Sequence, residues 1–207
     1  MIRNSRTRRV CCSLSDQGRS LKNSKRLGIW GYNVARLRVP LIKQNRLTCS
    51  ITALRMVLSY FGKSVPEADI IRFVGGIKSY GVKTSDLAEY VKGLGFDVRC
   101  YTFNETHKGG LTVFRKPSKA EIIHFLDHGF PVILSVSPFI LYGPKAPGVG
   151  HSIVIKGYAR EFFYYNDPSD GKEHEIMQDD LLLAWFYNIR SMSSYLLAII
   201  PSKKHTN

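Results

Sequence analysis

Three side chains far apart in this chain have the types and settings needed for nucleophilic attack on a carbonyl: Cys49, His151 and Asp167. Cys49 stands at the head of the apolar stretch "CSITALRMVLSYFG". There, the aligned peptide dipoles and free N–H groups of a helix would stabilise a thiolate. A thiol nucleophile needs a base to take and return its proton, and the base needs a third group to fix its tautomer. His151 opens the apolar run "HSIVIKGYA" directly after the Gly/Pro loop "GPKAPGVG", so a strand end would hold the ring while the loop leaves its edge open. The next run ends in "YYNDP", which sets Asp167 beside a turn. A short hairpin between the two runs would bring His151 and Asp167 to the same end of adjacent strands. Taken singly, a cysteine is more often a small buried hydrophobe and an aspartate before proline an ordinary turn residue. The combination points to thiol-based acyl chemistry.

The elements that must position these groups follow from periodicity. Ile51, Leu54, Leu58 and Phe61 repeat at helical spacing, with Ala53, Met56 and Val57 widening the apolar arc. The expected helix runs from Thr48 or Cys49 to about Phe61, is ended by Gly62, and is central to the fold. "SVPEADIIRFVGG" predicts a short helix with Ser64 as cap and Pro66 early inside it, and "KTSDLAEYVKGLG" another capped by Thr84 or Ser85. An alternating strand "FDVRCYTF", a helix capped by Ser118 and a buried strand "FPVILSVS" come next. The strands bearing His151 and Asp167, a helix in "MQDDLLLAWFYNI" and a last strand "SYLLAIIP" complete the chain. Three helices before a sheet whose last four strands pair antiparallel make an α+β fold.

Charge divides the chain into two parts. Residues 1–38 hold ten lysines and arginines against the single Asp16, so most of the formal +14 sits there. The segment shows no sustained period and reads as a basic, flexible N-terminal arm, with residues 39–207 as the folded domain. Its apolar run "VCCSL" is too short for a secretory signal, and no stretch of about 18 apolar residues could span a bilayer, which together favour a cytoplasmic location. A nonspecific anionic partner, nucleic acid or a membrane surface, would suit the arm; the body carries no nucleic-acid-binding motif. The four cysteines lack disulfide-framework density and CxxC spacing. His124 and His128 are spaced i, i+4, but no HExxH or carboxylate motif accompanies them, so no metal or other cofactor is expected. Phe139, Leu141 and Tyr142, ahead of His151, are candidates for a substrate pocket or for core; the sequence does not otherwise identify substrate-binding residues.

"PLIKQNRLTCSITALRMVLSYFG", "GVGHSIVIKGY" and "YYNDPSDG" resemble the three motif blocks of the bacteriocin-processing peptidases, papain-like cysteine peptidases that cleave leader peptides after a double glycine. The resemblance covers about residues 39–200. It implies a papain-like fold and a thiol peptidase acting on a peptide or protein substrate. Within it, Cys49 is the nucleophile, His151 the base, Asp167 its orienting group, and Gln44 a donor to the oxyanion. A side-chain amide and a backbone N–H can bind the charge that develops on an attacked carbonyl, each being worth about 2.7–4 kcal/mol. With Asn207 as its last residue, the chain reads as a stand-alone member. The same thioester chemistry would serve an acyltransferase or a deamidase, and a peptidase-like fold could also serve as a non-catalytic peptide-binding module.

Overall fold

The computed structural model describes residues 34–146, 150–187 and 194–202. In chain order the elements are β1 (Val34–Arg36), α1 (Cys49–Tyr60), α2 (Glu67–Phe73), α3 (Thr84–Gly93), β2 (Asp97–Thr102), a 3₁₀ turn (Glu105–His107) and β3 (Thr112–Phe114). After them come α4 (Lys119–Asp127), β4 (Val132–Val136), α5 (Pro138–Tyr142), β5 (His151–Ala159), β6 (Phe162–Asp167), β7 (Lys172–Met177), α6 (Gln178–Phe186) and β8 (Leu196–Ile200). This is the expected α+β arrangement, with helices leading and one mixed sheet of order β3-β2-β8-β4-β5-β6-β7. Among the described residues only β2 and β3 pair in parallel, and the other strand pairings are antiparallel.

Helix α1 packs against β4 and β5 and touches α2 and α3. Residues from Ser50 to Leu58 are buried with the exception of Arg55, so it is a core helix, as its dense apolar pattern requires. It stops where Gly62 takes a left-handed backbone (φ 77°). The core continues through the buried strands β4, β5 and β8 to Trp185 of α6, whose indole N–H donates to the Tyr195 carbonyl at 3.1 Å.

Residues 34–38, read from sequence as part of the flexible arm, belong to the fold. β5 is nine residues long; its first half pairs with β4, and β1 takes up the same edge where β4 ends, matching Val34 to Ala159 and Arg36 to Gly157. Leu37 is buried and its N–H donates to the Lys156 carbonyl at 2.7 Å. Arg36 lies over the Tyr164 ring and pairs with Glu173, which also pairs with Lys156. Backbone pairing and an ionic cluster, neither visible as periodicity, extend the body to Val34. Residues 1–33, and with them the remainder of the arm and its anionic partner, lie outside the described residues, as does His205.

Besides β1 and the 3₁₀ turn, three elements have no counterpart in the expected pattern. β3 is three residues long; α5 is a five-residue helix carrying Phe139, Leu141 and Tyr142; and β7, "KEHEIM", is a polar edge strand whose charges cover an otherwise open row of peptide groups. Pro66 caps α2 from an extended backbone rather than lying inside it, and Lys83 rather than Thr84 or Ser85 caps α3. Thr84 Oγ1 instead bonds to Ser135 Oγ at 3.2 Å.

Ser118 does cap α4. Its Oγ accepts from the Glu121 N–H while the Glu121 carboxylate accepts from the Ser118 N–H, a reciprocal capping box. Ser118→Ala should lower unfolding free energy by about 1 kcal/mol in urea titration, with an unchanged m-value. A loss below a few tenths would mean that Glu121 alone satisfies the helix end.

Candidate active site

Cys49 is the first residue of α1, and that helix start is left open for a charge. Thr48, the capping residue, turns its hydroxyl away to donate to the Asn45 carbonyl at 2.8 Å, and the first turn carries no acidic residue. The N–H groups of Ser50 and Ser152 donate to the Cys49 sulfur, and His151 is its side-chain hydrogen-bond partner. Burial opposes ionisation of this thiol, but the hydrogen bond and charge of His151, with those two N–H groups, outweigh it and hold the thiol below its ordinary value. Cys100 makes the contrast: buried beside Thr112 with no cation, it is pushed up to about 11.

His151 begins β5, paired with Val136 of β4, and is almost wholly buried. Its Nε2 bonds to Asp167 Oδ1 at 2.9 Å, which leaves Nδ1 for the thiol. Burial disfavours an imidazolium here, yet the bonds to Asp167 and Cys49 raise His151 to about 9. Asp167 ends β6 and is 1% exposed. Both its oxygens are used: Oδ1 also accepts the Ser169 N–H at 2.7 Å, and Oδ2 accepts the Tyr142 hydroxyl. Against the cost of burial, His151, Tyr142 and Ser169 keep this carboxyl well below the usual carboxylate range. The Tyr142 ring stands edge-on to His151 with centroids 5.7 Å apart.

Gln44 lies outside any regular element. Arg46 adopts a left-handed backbone (φ 64°), a strained choice for arginine that turns the chain between Gln44 and Cys49, and both residues line one cleft. The Gln44 N–H donates to the Pro168 carbonyl at 2.7 Å, while its Oε1 is buried without a partner. That cleft holds about 430 Å³, with walls that include Leu47, Tyr80, Pro138, Tyr142 and Lys145. A further portion of about 350 Å³, lined by Val82, Lys83, Ser135, His107 and Tyr195, shares Cys49, Tyr80 and His151 with it. The result is an open groove crossing the thiol.

The structure therefore brings Cys49, His151, Asp167 and Gln44 into one site. Of the pocket candidates ahead of His151, Tyr142 lines the groove, Leu141 packs on the core, and Phe139 stacks on Tyr187. Tyr80, Leu47 and Lys145 carried no signal in sequence. His124 and His128 sit with ring centroids 4.3 Å apart at the end of α4, and no group of three potential ligands that could hold a metal occurs among the described residues. No helix among them is long and apolar enough to cross a membrane.

Comparison with known proteins matches residues 36–192 to the Peptidase_C39 like family. No curated protein sequence matches the chain. Among solved structures, it is similar to a protein from Bacillus anthracis described as a C39-like peptidase, with 18% identity, a TM-score of 0.62, and coverage of 82% of this chain and 98% of that one. It is similar also to the peptidase domain of Streptococcus ComA, a bifunctional ABC transporter involved in quorum sensing, with 16% identity, a TM-score of 0.57, and coverage of 80% and 100%. A third is a double glycine motif protease from an AMS/PCAT transporter, solved in complex with the leader peptide, with 22% identity, a TM-score of 0.53, and coverage of 81% and 95%.

Proposed function

Since the chain belongs to the Peptidase_C39 like family, we propose that it is a cysteine peptidase that hydrolyses peptide bonds through a Cys49 acyl-enzyme. The observation that carries the proposal is the convergence of thiol, imidazole and carboxylate at an open groove: Cys49 and His151 line it together, and His151 is bonded to Asp167 at 2.9 Å. The lowered Cys49 value and the raised His151 value favour a thiolate–imidazolium pair before substrate arrives.

The thiolate attacks the carbonyl carbon of a peptide lying in the groove. Its oxygen becomes an oxyanion, held by the backbone N–H of Cys49 and the carboxamide of Gln44. The C–N bond breaks as imidazolium Nδ1 gives its proton to the departing amine, leaving a thioester and a neutral His151. His151 then takes a proton from water as the hydroxide adds to the thioester, and collapse expels the Cys49 thiolate and frees the acyl group as its carboxylic acid, leaving the proton on His151 and the ion pair restored. Asp167 keeps its charge throughout and holds Nε2–H, so that Nδ1 stays aimed at sulfur.

A solved relative in complex with a leader peptide supports a peptide or protein substrate for this chain. The test is a mass-resolved survey of a diverse peptide mixture. Hydrolysis is expected to yield fragment pairs heavier together than the parent by one water. Fragments bearing an acceptor amine would reassign the chemistry to acyl transfer, and full-length peptides with glutamine converted to glutamate to deamidation. Unaltered peptides would leave a peptide-binding module.

A further inference from the structure

Gln44 is held in place by the far side of the molecule's own catalytic turn. The chain from Leu37 to Gln44 forms no helix or strand, so nothing within it fixes where the Gln44 carboxamide stands. Its Leu37 end is tied to the Lys156 carbonyl, and the hydrogen bonds nearer Gln44 come from residues 166–171, the end of β6 and the turn into β7. Asn166 is fully buried, and its Nδ2 donates to the Val39 carbonyl at 3.0 Å and to the Pro40 carbonyl at 3.3 Å. Its Oδ1 is buried and accepts nothing, so the amide serves the Val39–Pro40 segment alone. The Pro168 carbonyl then takes the Gln44 N–H. Gly171, at φ +69°, meets Lys43: a Cβ there would lie 2.9 Å from Lys43 Cβ and 3.2 Å from its Cα and N. Contact with backbone atoms cannot be relieved by rotating a side chain, so any residue but glycine must push on the peptide that leads into Gln44.

Resting on the peptidase reading above, we propose that Asn166 and Gly171 are positioning residues for the oxyanion donor. In this arrangement one turn carries both the group that orients the base, Asp167, and the mount that sets Gln44 opposite the thiol. The two act on different steps. Asp167 tunes the Cys49–His151 pair, whereas Asn166 and Gly171 act through Gln44 on the oxyanion alone.

The separation defines the experiment. kcat and KM on a cleaved peptide, together with the pH profile of Cys49 alkylation by iodoacetamide, are measured for wild type, Gln44→Ala, Asn166→Ala, Gly171→Ala and Gly171→Asn. The double variants Gln44→Ala/Asn166→Ala and Gln44→Ala/Gly171→Ala complete two cycles. Loss of one oxyanion donor lowers kcat by about 10²–10³, and Asn166→Ala and Gly171→Ala are expected to lose at least about tenfold of that with little change in KM. Gly171→Asn, which tolerates a left-handed backbone but carries a Cβ, should be as impaired as Gly171→Ala. Alkylation profiles should match wild type, and each double variant should be no slower than Gln44→Ala alone, the mark of coupling through one group.

Additive losses in the doubles, a shifted alkylation profile in the singles, or unchanged kcat in Gly171→Ala and Asn166→Ala would each overturn the assignment while leaving the peptidase reading intact. Absence of Cys49-dependent turnover in the wild type would overturn both. Thermal unfolding of each variant identifies any that fails to fold, and the two sites give independent routes to the same answer.

Discussion

Cys49→Ala is expected to reduce peptide hydrolysis to background, a loss on the order of 10⁶ in kcat if the groups act as a unit. The size of the effect follows from the absence of a substitute among the described residues. Cys100, the other described cysteine, is buried within β2, bonded to Thr112, and pushed up to about 11, so at neutral pH it is a thiol without access. Water in the space left by the Cys49 sulfur would keep His151 as a base but lack the thioester that divides the reaction into two easier steps. A peptide bearing a thiol-reactive electrophile should label the wild type at Cys49 and leave that peptide unmodified in the variant, as read by digestion and mass spectrometry. Digestion also separates this label from any on Cys11 or Cys12. Residual Cys49-independent cleavage within tenfold of wild type would transfer the chemistry to another residue.

His151→Ala should cost nearly as much turnover, and its signature is in pH. With His151 raised to about 9 and Cys49 below the ordinary thiol value, the thiolate–imidazolium pair occupies the interval between the lowered Cys49 value and about pH 9. The His151 contribution to stability is complete below its unfolded value of about 6.5 and is lost as pH rises through about 9. The Cys49 contribution runs the other way: it is complete above the unfolded thiol value of about 8.5 and is lost as pH falls through the lowered folded value. Hydrolysis should therefore fall on a basic limb near pH 9, where the proton for the leaving amine is gone. Without His151 only burial and the two N–H groups act on the thiol. If it returns to its ordinary value, about 3% is ionised at pH 7, so iodoacetamide alkylation there should be slower than in wild type. An alkylation profile in His151→Ala that overlays wild type would falsify the ion pair.

Much of this was legible in the sequence because the critical residues sit at element ends with strong signals. Cys49 heads a helix whose apolar spacing is dense enough to mark it as core, and His151 and Asp167 bound two strands joined by the Arg160–Glu161 turn. Ser118 was legible for the same reason, since a capping box is a local pattern. What escaped was set by distant partners. Val34–Arg36 is a strand only because β5 outlasts β4, and a three-residue pairing leaves no period to read. β7 hides its alternation under edge charges. Tyr142 looked like one of three equivalent apolar residues, and its role beside Asp167 depends on α5 turning it back over the turn at Pro168. Tyr80 and Lys145 enter the groove from loops, where composition says little about direction.

The position of β8 has a consequence for the order in which the protein can be made. Every chemical group of the site precedes β8 in the chain. Yet β8 lies between β2 and β4 and joins the two halves of the sheet. Until residues 196–200 emerge, β4 lacks one neighbour and β2 lacks its antiparallel partner, so the nascent chain holds the thiol, imidazole and carboxylate without the closed platform that aligns them. Pairing a final strand with residues some sixty and one hundred positions earlier is a slow, non-local step. The competence of the thiol would thus be delayed to the stage of folding at which β8 docks between β2 and β4.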